Sequence, residues 1–135
     1  MTVTLNEAVR TLLDEPNVAV LATSNADGSP QSSPVWMGLD GGHVVISSAR
    51  GRRKDRNIRR DPRVSLTVFD RHDPERYAEI RGRATITEDV GRELAVRLAE
   101  KYHGPGAGKE YLELPPEVVR IVIRIVPDHV AGYAA

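Results

Sequence analysis

The sequence predicts a mainly β fold, a small six-stranded antiparallel β-barrel with peripheral helices. Three observations predict it. Six segments read as strands, and in YAEIRGRATITE and VVRIVIRIV apolar and polar residues alternate at the period of two that a half-buried strand requires. Tight-turn signals, of which Asn25–Gly28 (NADG) is the strongest, link most of them as hairpins. A chain of 135 residues is also too short for a doubly wound sheet. Six hairpin-linked strands remove their aggregation-prone edges by curling closed.

The elements follow in order. Thr4 as N-cap and Glu7 three residues later read as a capping box, Val9, Leu12 and Leu13 form an apolar stripe, and Pro16 ends the helix. NVAVLATS (17–24) is the first strand, and PQSSPVWMGLD (30–40) returns as the second. After a turn at Asp40–Gly42, HVVISS (43–48) is the third. A short basic helix then ends before Pro62, because a residue preceding proline leaves the helical region. RVSLTVFD (63–70) is strand four and RHDPER (71–76) a polar loop. YAEIRGRATITE (77–88) is a long strand five, bent at Gly82. A helix from about Asp89 to Tyr102 puts Val90, Leu94, Leu98 and Tyr102 on one side. HGPGAGKE (103–110) breaks it as a mobile connector. In VVRIVIRIV (118–126), Ile121, Ile123 and Ile125 face one way and Arg120 and Arg124 the other. One domain over residues 1–135 is expected.

Composition narrows the function. With 40% hydrophobic and 28% charged residues, the chain has the make-up of a soluble globular protein. The absence of cysteine excludes disulfides, iron–sulfur clusters and thiolate zinc sites. No basic-then-apolar leader and no membrane-length apolar run is present, so a cytoplasmic protein without a membrane partner is expected. Zero net charge argues against a nucleic-acid binder. HGPGAGKE fails the Walker pattern, because His103 and Glu110 stand where Gly and Ser or Thr are needed. The four histidines lack metal-ligand spacing, and no metal site is expected. No catalytic residue is identifiable and no covalent nucleophile has a recognisable setting. An enzyme of this composition would rely on a cofactor for its chemistry.

The charge is concentrated in SSARGRRKDRNIRRDPRV (47–64), which carries +6 between Arg50 and Arg63 in a chain that is neutral overall. Arg56, Arg59, Arg60 and Arg63 lie towards the C-terminal end of the short helix, where cations complement its dipole. Arg50, Arg52, Arg53 and Lys54 crowd the opposite end, where each is disfavoured by about 0.3–1 kcal/mol unless an anion is present. A bound phosphate would reverse that sign, meeting free N–H groups and forked Arg donors together. A solvated basic surface is the competing reading, with nucleic acid a distant third because no aromatic interleaves with the run.

The succession from Val18 to Val68, VAVLATSNADGSPQSSPVWMGLDGGHVVISSARGRRKDRNIRRDPRVSLTV, resembles the pyridoxamine 5′-phosphate oxidase-like superfamily. It is most similar to the PPOX-class F420-dependent enzymes, also called flavin/deazaflavin oxidoreductases of class B. The likeness extends to Ile86 and returns at PDHVAGY (127–133). It implies an FMN-binding split β-barrel that forms a homodimer, with cofactor between the subunits. It further implies that Arg52 and Lys54 bind the cofactor phosphate, that Asn57 adds a polar contact, and that Ser47 and Ser48 line the phosphate or ring end. Gln31, Ser33, Pro34, Val35 and Trp36 would run along the tricyclic ring, and Tyr77 would approach it from the other subunit. Core packing is the competing role for Val35 and Trp36, and a surface position for Tyr77. The implied activity is hydride transfer between coenzyme F420 and a small conjugated organic substrate. FMN is the alternative cofactor, and a non-catalytic carrier the alternative function. Arg50, Arg53 and Arg56 suit the longer, acidic tail of coenzyme F420. Residues that select substrate are expected in RHDPER and HGPGAGKE.

Overall fold

The computed structural model describes residues 2–135. It comprises α1 (Glu7–Asp14), β1 (Val18–Ser24), β2 (Pro30–Val35), β3 (Met37–Asp40), β4 (His43–Ala49), α2 (Arg53–Arg60), β5 (Arg63–Asp70), β6 (Asp73–Glu88), a 3₁₀ turn (Val90–Arg92), α3 (Glu93–His103), α4 (Lys109–Leu112) and β7 (Arg120–Ala131).

The seven strands form one antiparallel sheet in the order β2-β1-β5-β6-β7-β4-β3. Its two edges, β2 and β3, are consecutive in sequence and separated by Trp36 alone. A sheet whose edges are joined by one residue must curl until they meet, which makes this a barrel with a seam. The single returning strand expected over residues 30–40 is therefore two strands: Val35 pairs with Ala19 on β1, whereas Met37 pairs with Ile46 on β4. Exposure alternates along β2 but not along β3, where Met37 and Gly38 are both buried, and no turn residue in the sequence marks the change of partner at Trp36.

The barrel interior is filled by Leu21, Leu66, Ile80, Ile123 and Ile125, closed at one side by Val9, Leu12 and Leu13 of α1. The N-cap of α1 is Asn6 rather than Thr4; its Oδ1 accepts from Val9 N–H at 2.8 Å, the bond expected of a cap to N3. The bend at Gly82 is present as a register shift between Arg81 and Gly82 against β7. RHDPER is not a loop. Asp70 pairs with Asp73, so Arg71 and His72 form a tight turn and the remaining residues begin β6, their polar side chains simply facing solvent. Val90 is 73% exposed, because the Asp89 carboxylate accepts from Leu94 N–H and Ala95 N–H and starts α3 only at Glu93. The buried face of α3 is Leu94, Ala95, Leu98 and Ala99.

Lys101 on α3 ties this helix to the seam. Its ammonium donates to Leu13 O at 2.6 Å and to Met37 O at 2.5 Å. Burial lowers its pKa from 10.5 to about 8. The unfolded chain therefore binds the extra proton between about pH 8 and 10.5, and folding gains stability as pH rises through that window. We expect wild type to gain about 1–2 kcal/mol relative to Lys101→Met between pH 7.5 and 10.5, after allowing for the side chain's partial exposure. Urea unfolding of both proteins across that range measures it; parallel curves would refute it.

Candidate functional site

The seam has a structural consequence. β3 pairs with β4 only over His43–Ile46, so Ser47, Ser48 and Ala49 keep their partners on β7 and have none on the other side. A cavity of about 540 Å³ opens there, within the size range of small-molecule sites. One wall is Pro34, Val35 and Trp36, and the other is Ser47 and Ser48 with Arg120 from the start of β7. The first turn of α2 brings Arg52 and Lys54 to the same end.

That end is cationic and incompletely satisfied. Arg120 Nη2 donates to Ser47 Oγ at 2.7 Å, and its guanidinium lies 5.1 Å from the centre of the Tyr111 ring. Ser48 Oγ and Arg120 Nε are buried without a hydrogen-bond partner, a state that costs free energy unless a ligand supplies one. Among the described residues, no carboxylate lies within 4.0 Å of Arg52, Lys54 or Arg120. Burial, then the charges of Arg52 and Arg120, push the Lys54 pKa down. Burial likewise lowers that of Arg120. Arg52 is the N-cap of α2 but makes no side-chain bond to its first turn, so the free N–H groups and positive dipole end remain open to an anion. Asp55, buried within that turn, accepts from Gly51 N–H and Arg59 Nε, each at 2.7 Å, and fixes the loop to the helix.

The middle of the cleft is aromatic. Trp36 stacks on Tyr102 at 5.5 Å and 10°, and meets Tyr111 edge-on at 6.3 Å. The Tyr102 hydroxyl donates to Asn17 O at 2.9 Å and accepts from Met37 N–H at 3.4 Å, joining α3, the residue preceding β1 and the seam. Burial raises its pKa, which keeps it neutral. Tyr111 is placed by Arg92, whose guanidinium donates to the carbonyls of Tyr111 (3.0 Å), Leu114 (2.7 Å), Pro115 (2.7 Å) and Val118 (2.9 Å). Arg92 itself has φ of 58°, a left-handed conformation that an L-residue holds only when its surroundings enforce it. We expect Arg92→Ala to cost about 2–3 kcal/mol and, with Tyr111 released, to shift the emission of Trp36, the sole tryptophan, to longer wavelength. Loss of stability with unchanged emission would show that Arg92 does not position Tyr111.

A family profile described as pyridoxamine 5′-phosphate oxidase matches residues 5–132. The chain belongs to this family. Its curated relatives include pyridoxine/pyridoxamine 5′-phosphate oxidases of Rubrobacter xylanophilus, 39% identical over 84 residues (62% of this chain, 38% of that protein), and Kineococcus radiotolerans, 33% over 104 residues (76% and 45%). The chain thus spans less than half the length of these two relatives. An F420H(2)-dependent biliverdin reductase of Mycobacterium tuberculosis is 28% identical over 137 residues, covering 98% of this chain and 91% of that protein. A solved structure named F420 Reductase superposes with a TM-score of 0.80 at 32% identity, covering 94% of this chain and 98% of that one. The curled sheet is accordingly the split barrel of the pyridoxamine 5′-phosphate oxidase family, with seven strands where six were expected.

Against that family's expected site, the cleft brings together Pro34, Val35, Trp36, Ser47, Ser48, Arg52 and Lys54. It does not gather the other four. Gln31 Oε1 accepts from Thr23 Oγ1 at 2.6 Å. Ser33 Oγ is buried, unpartnered and outside the cleft lining. Asn57 is turned to the barrel instead of the cations: its amide donates to Thr23 Oγ1 and Asn25 Oδ1, both at 3.0 Å, and its Oδ1 accepts from Arg60. One helical turn separates it from Lys54, yet that step carries it to the buried face of α2. Its observed work is to fasten α2 to the β1–β2 hairpin. Tyr77 faces Phe69 on β5 and packs by Gly132, away from this chain's cleft. Sequence reasoning left out Arg120, Tyr102 and Tyr111, which all line it, as does Arg71 of the RHDPER stretch expected to select substrate. Alternation along β7 put Arg120 on the non-core face; nothing in residues 103–118 marked Tyr111. Among the described residues no group of His, Cys, Asp and Glu is placed to hold a metal, and no helix is long and apolar enough to cross a membrane.

Proposed function

We propose that this protein is an oxidoreductase that binds coenzyme F420 in the seam cleft and transfers a hydride between it and a small conjugated organic substrate. The observation that carries this reading is the cation cluster of Arg52, Lys54 and Arg120, unneutralised and with orphaned donors, at one end of an aromatic cleft. The names of the mycobacterial biliverdin reductase and the F420 Reductase structure support the choice of cofactor. The residues fit the group. Arg52, Lys54, Arg120 and the open turn of α2 would hold its phosphate, with Ser47 and Ser48 beside them. Arg53 and Arg56, exposed and without a carboxylate within 4.0 Å, extend the positive field towards an acidic tail.

The bound deazaflavin would supply two-electron hydride chemistry. The chain's own contribution is orientation and exclusion of water: Pro34, Val35 and Trp36 form the ring wall, and Tyr102 and Tyr111 brace Trp36. Tyr102 is no proton donor, because its hydroxyl proton is committed to Asn17 O; solvent delivers the proton. FMN is the second reading, favoured by the family description and by a phosphate site that serves either molecule. Residues 1–135 act as one cofactor-binding domain in the cytoplasm and as a homodimer in which Tyr77 reaches a second copy's site. Incubating the protein with reduced coenzyme F420 and a panel of conjugated acceptors tests the activity. Acceptor-dependent reoxidation is expected; saturable binding without turnover would leave a carrier.

A further inference from the structure

The lining of the cleft is cationic. Four of its lining residues are cationic, Arg52, Lys54, Arg120 and Arg71, and none is acidic, in a chain with no net charge. The first three belong to the phosphate end. Arg71 reaches them only through a chain of contacts: it sits on the β5–β6 turn, its N–H bonded to Asn17, whose carbonyl accepts from Tyr102; Tyr102 stacks on Trp36, Trp36 meets Tyr111, and Tyr111 faces Arg120.

The main chain of this arginine is held in place, and its exposed guanidinium is left without a counter-ion. Asn17, buried at 3% exposure, donates its amide to Leu12 O at 2.9 Å and accepts Arg71 N–H on Oδ1 at 3.1 Å. The turn is thereby fixed to α1 and to the mouth of the cleft. The acid nearest in sequence, Asp70, is already engaged by Arg76 at 3.0 Å and by His72 N–H at 2.8 Å. Among the described residues no carboxylate lies within 4.0 Å of the Arg71 guanidinium, whose Nε donates to His72. A forked donor of this kind is the natural partner of a carboxylate.

Covalent order decides which anion that is. In coenzyme F420, as in FMN, the phosphate stands between the ring and anything beyond it, so a phosphate held at Arg52 and Lys54 sends an acidic tail away from Trp36. Arg71 lies on the ring side. Resting on the cofactor site proposed above, we infer that the acceptor carries an anionic group, a carboxylate, that Arg71 receives, so that this residue selects substrate without touching cofactor.

The test uses the protein saturated with oxidised coenzyme F420, which cannot turn over. Calorimetric titration compares 4-carboxybenzylideneacetone with its methyl ester. Wild type is expected to bind the acid about tenfold more tightly, the worth of one partly solvated charge-assisted hydrogen bond. Arg71→Gln should bring the two ligands within about twofold while leaving cofactor affinity and thermal midpoint unchanged, and Arg71→Lys should keep part of the preference. Equal affinities in wild type, no measurable binding of the acid, or a preference that survives in Arg71→Gln would overturn the inference alone. Failure of wild type to bind either cofactor would remove the site reading, and this inference with it.

Discussion

Replacing Lys54 or Arg52 by alanine is expected to weaken cofactor binding by roughly 10- to 100-fold each, the worth of a charge-assisted hydrogen bond in a partly dry site. In the proposed site both cations address one phosphate and repel each other in its absence, so the double variant should lose less than the product of the single losses. Lys54 adds a pH signature. Burial and the neighbouring arginines lower its pKa in the free protein, and a bound phosphate favours the charged form and moves it back up. Binding then takes up a proton at alkaline pH, so affinity should fall as pH rises through the free-state pKa of Lys54 and be independent of this group below it. In Lys54→Ala the alkaline fall should vanish. Calorimetry at several pH values measures both effects; an unchanged pH profile in the variant would place the phosphate elsewhere.

Gly82→Ala is expected to destabilise the protein by about 3 kcal/mol or more, among the larger effects of single substitutions. A Cβ at this position would stand 2.1 Å from Val126 O and 2.9 Å from Val126 C. The obstacle is backbone, which cannot step aside like a flexible side chain. Gly82 lies at the register shift of the β6–β7 ladder, where β6 bends between β5 and β7, so relief would require opening the pairing that closes the barrel. A urea midpoint lowered with an unchanged slope is the expected outcome. A variant within 1 kcal/mol of wild type would show that the bulge relaxes cheaply.

The strands were legible because burial on one face writes a period of two into Leu21, Leu66, Ile80 and Ile123. The Gly82 bend was legible because glycine within an alternating strand has few other uses. The seam was not. Pairing partners are a tertiary property, and residues 30–40 cross from β1 to β4 with no turn residue to mark the change. RHDPER misled for a related reason: polarity marks exposure, and an exposed strand end is as polar as a loop. Thr4 and Asn6 are both good caps, and only packing of α1 on the barrel selected Asn6. At the site, charge density and helix polarity pointed to Arg52 and Lys54, while the family resemblance pointed to the Pro34–Trp36 wall. Asn57 shows the limit of spacing arguments, since i to i+3 places two side chains near each other without saying which of them faces a cavity. Tyr111 had no signal at all, because its position depends on Arg92 gathering four carbonyls from a segment without periodicity.

The most direct test of the account is titration of the purified protein with coenzyme F420 and, separately, FMN, followed by the fluorescence of Trp36. The sole tryptophan stands in the proposed ring wall, so occupancy should quench it saturably. Micromolar binding of coenzyme F420, weakened in Lys54→Ala and in Arg120→Ala but not in Asn57→Ala, is the predicted result. Absence of micromolar binding by either cofactor would contradict the assignment of the seam cleft.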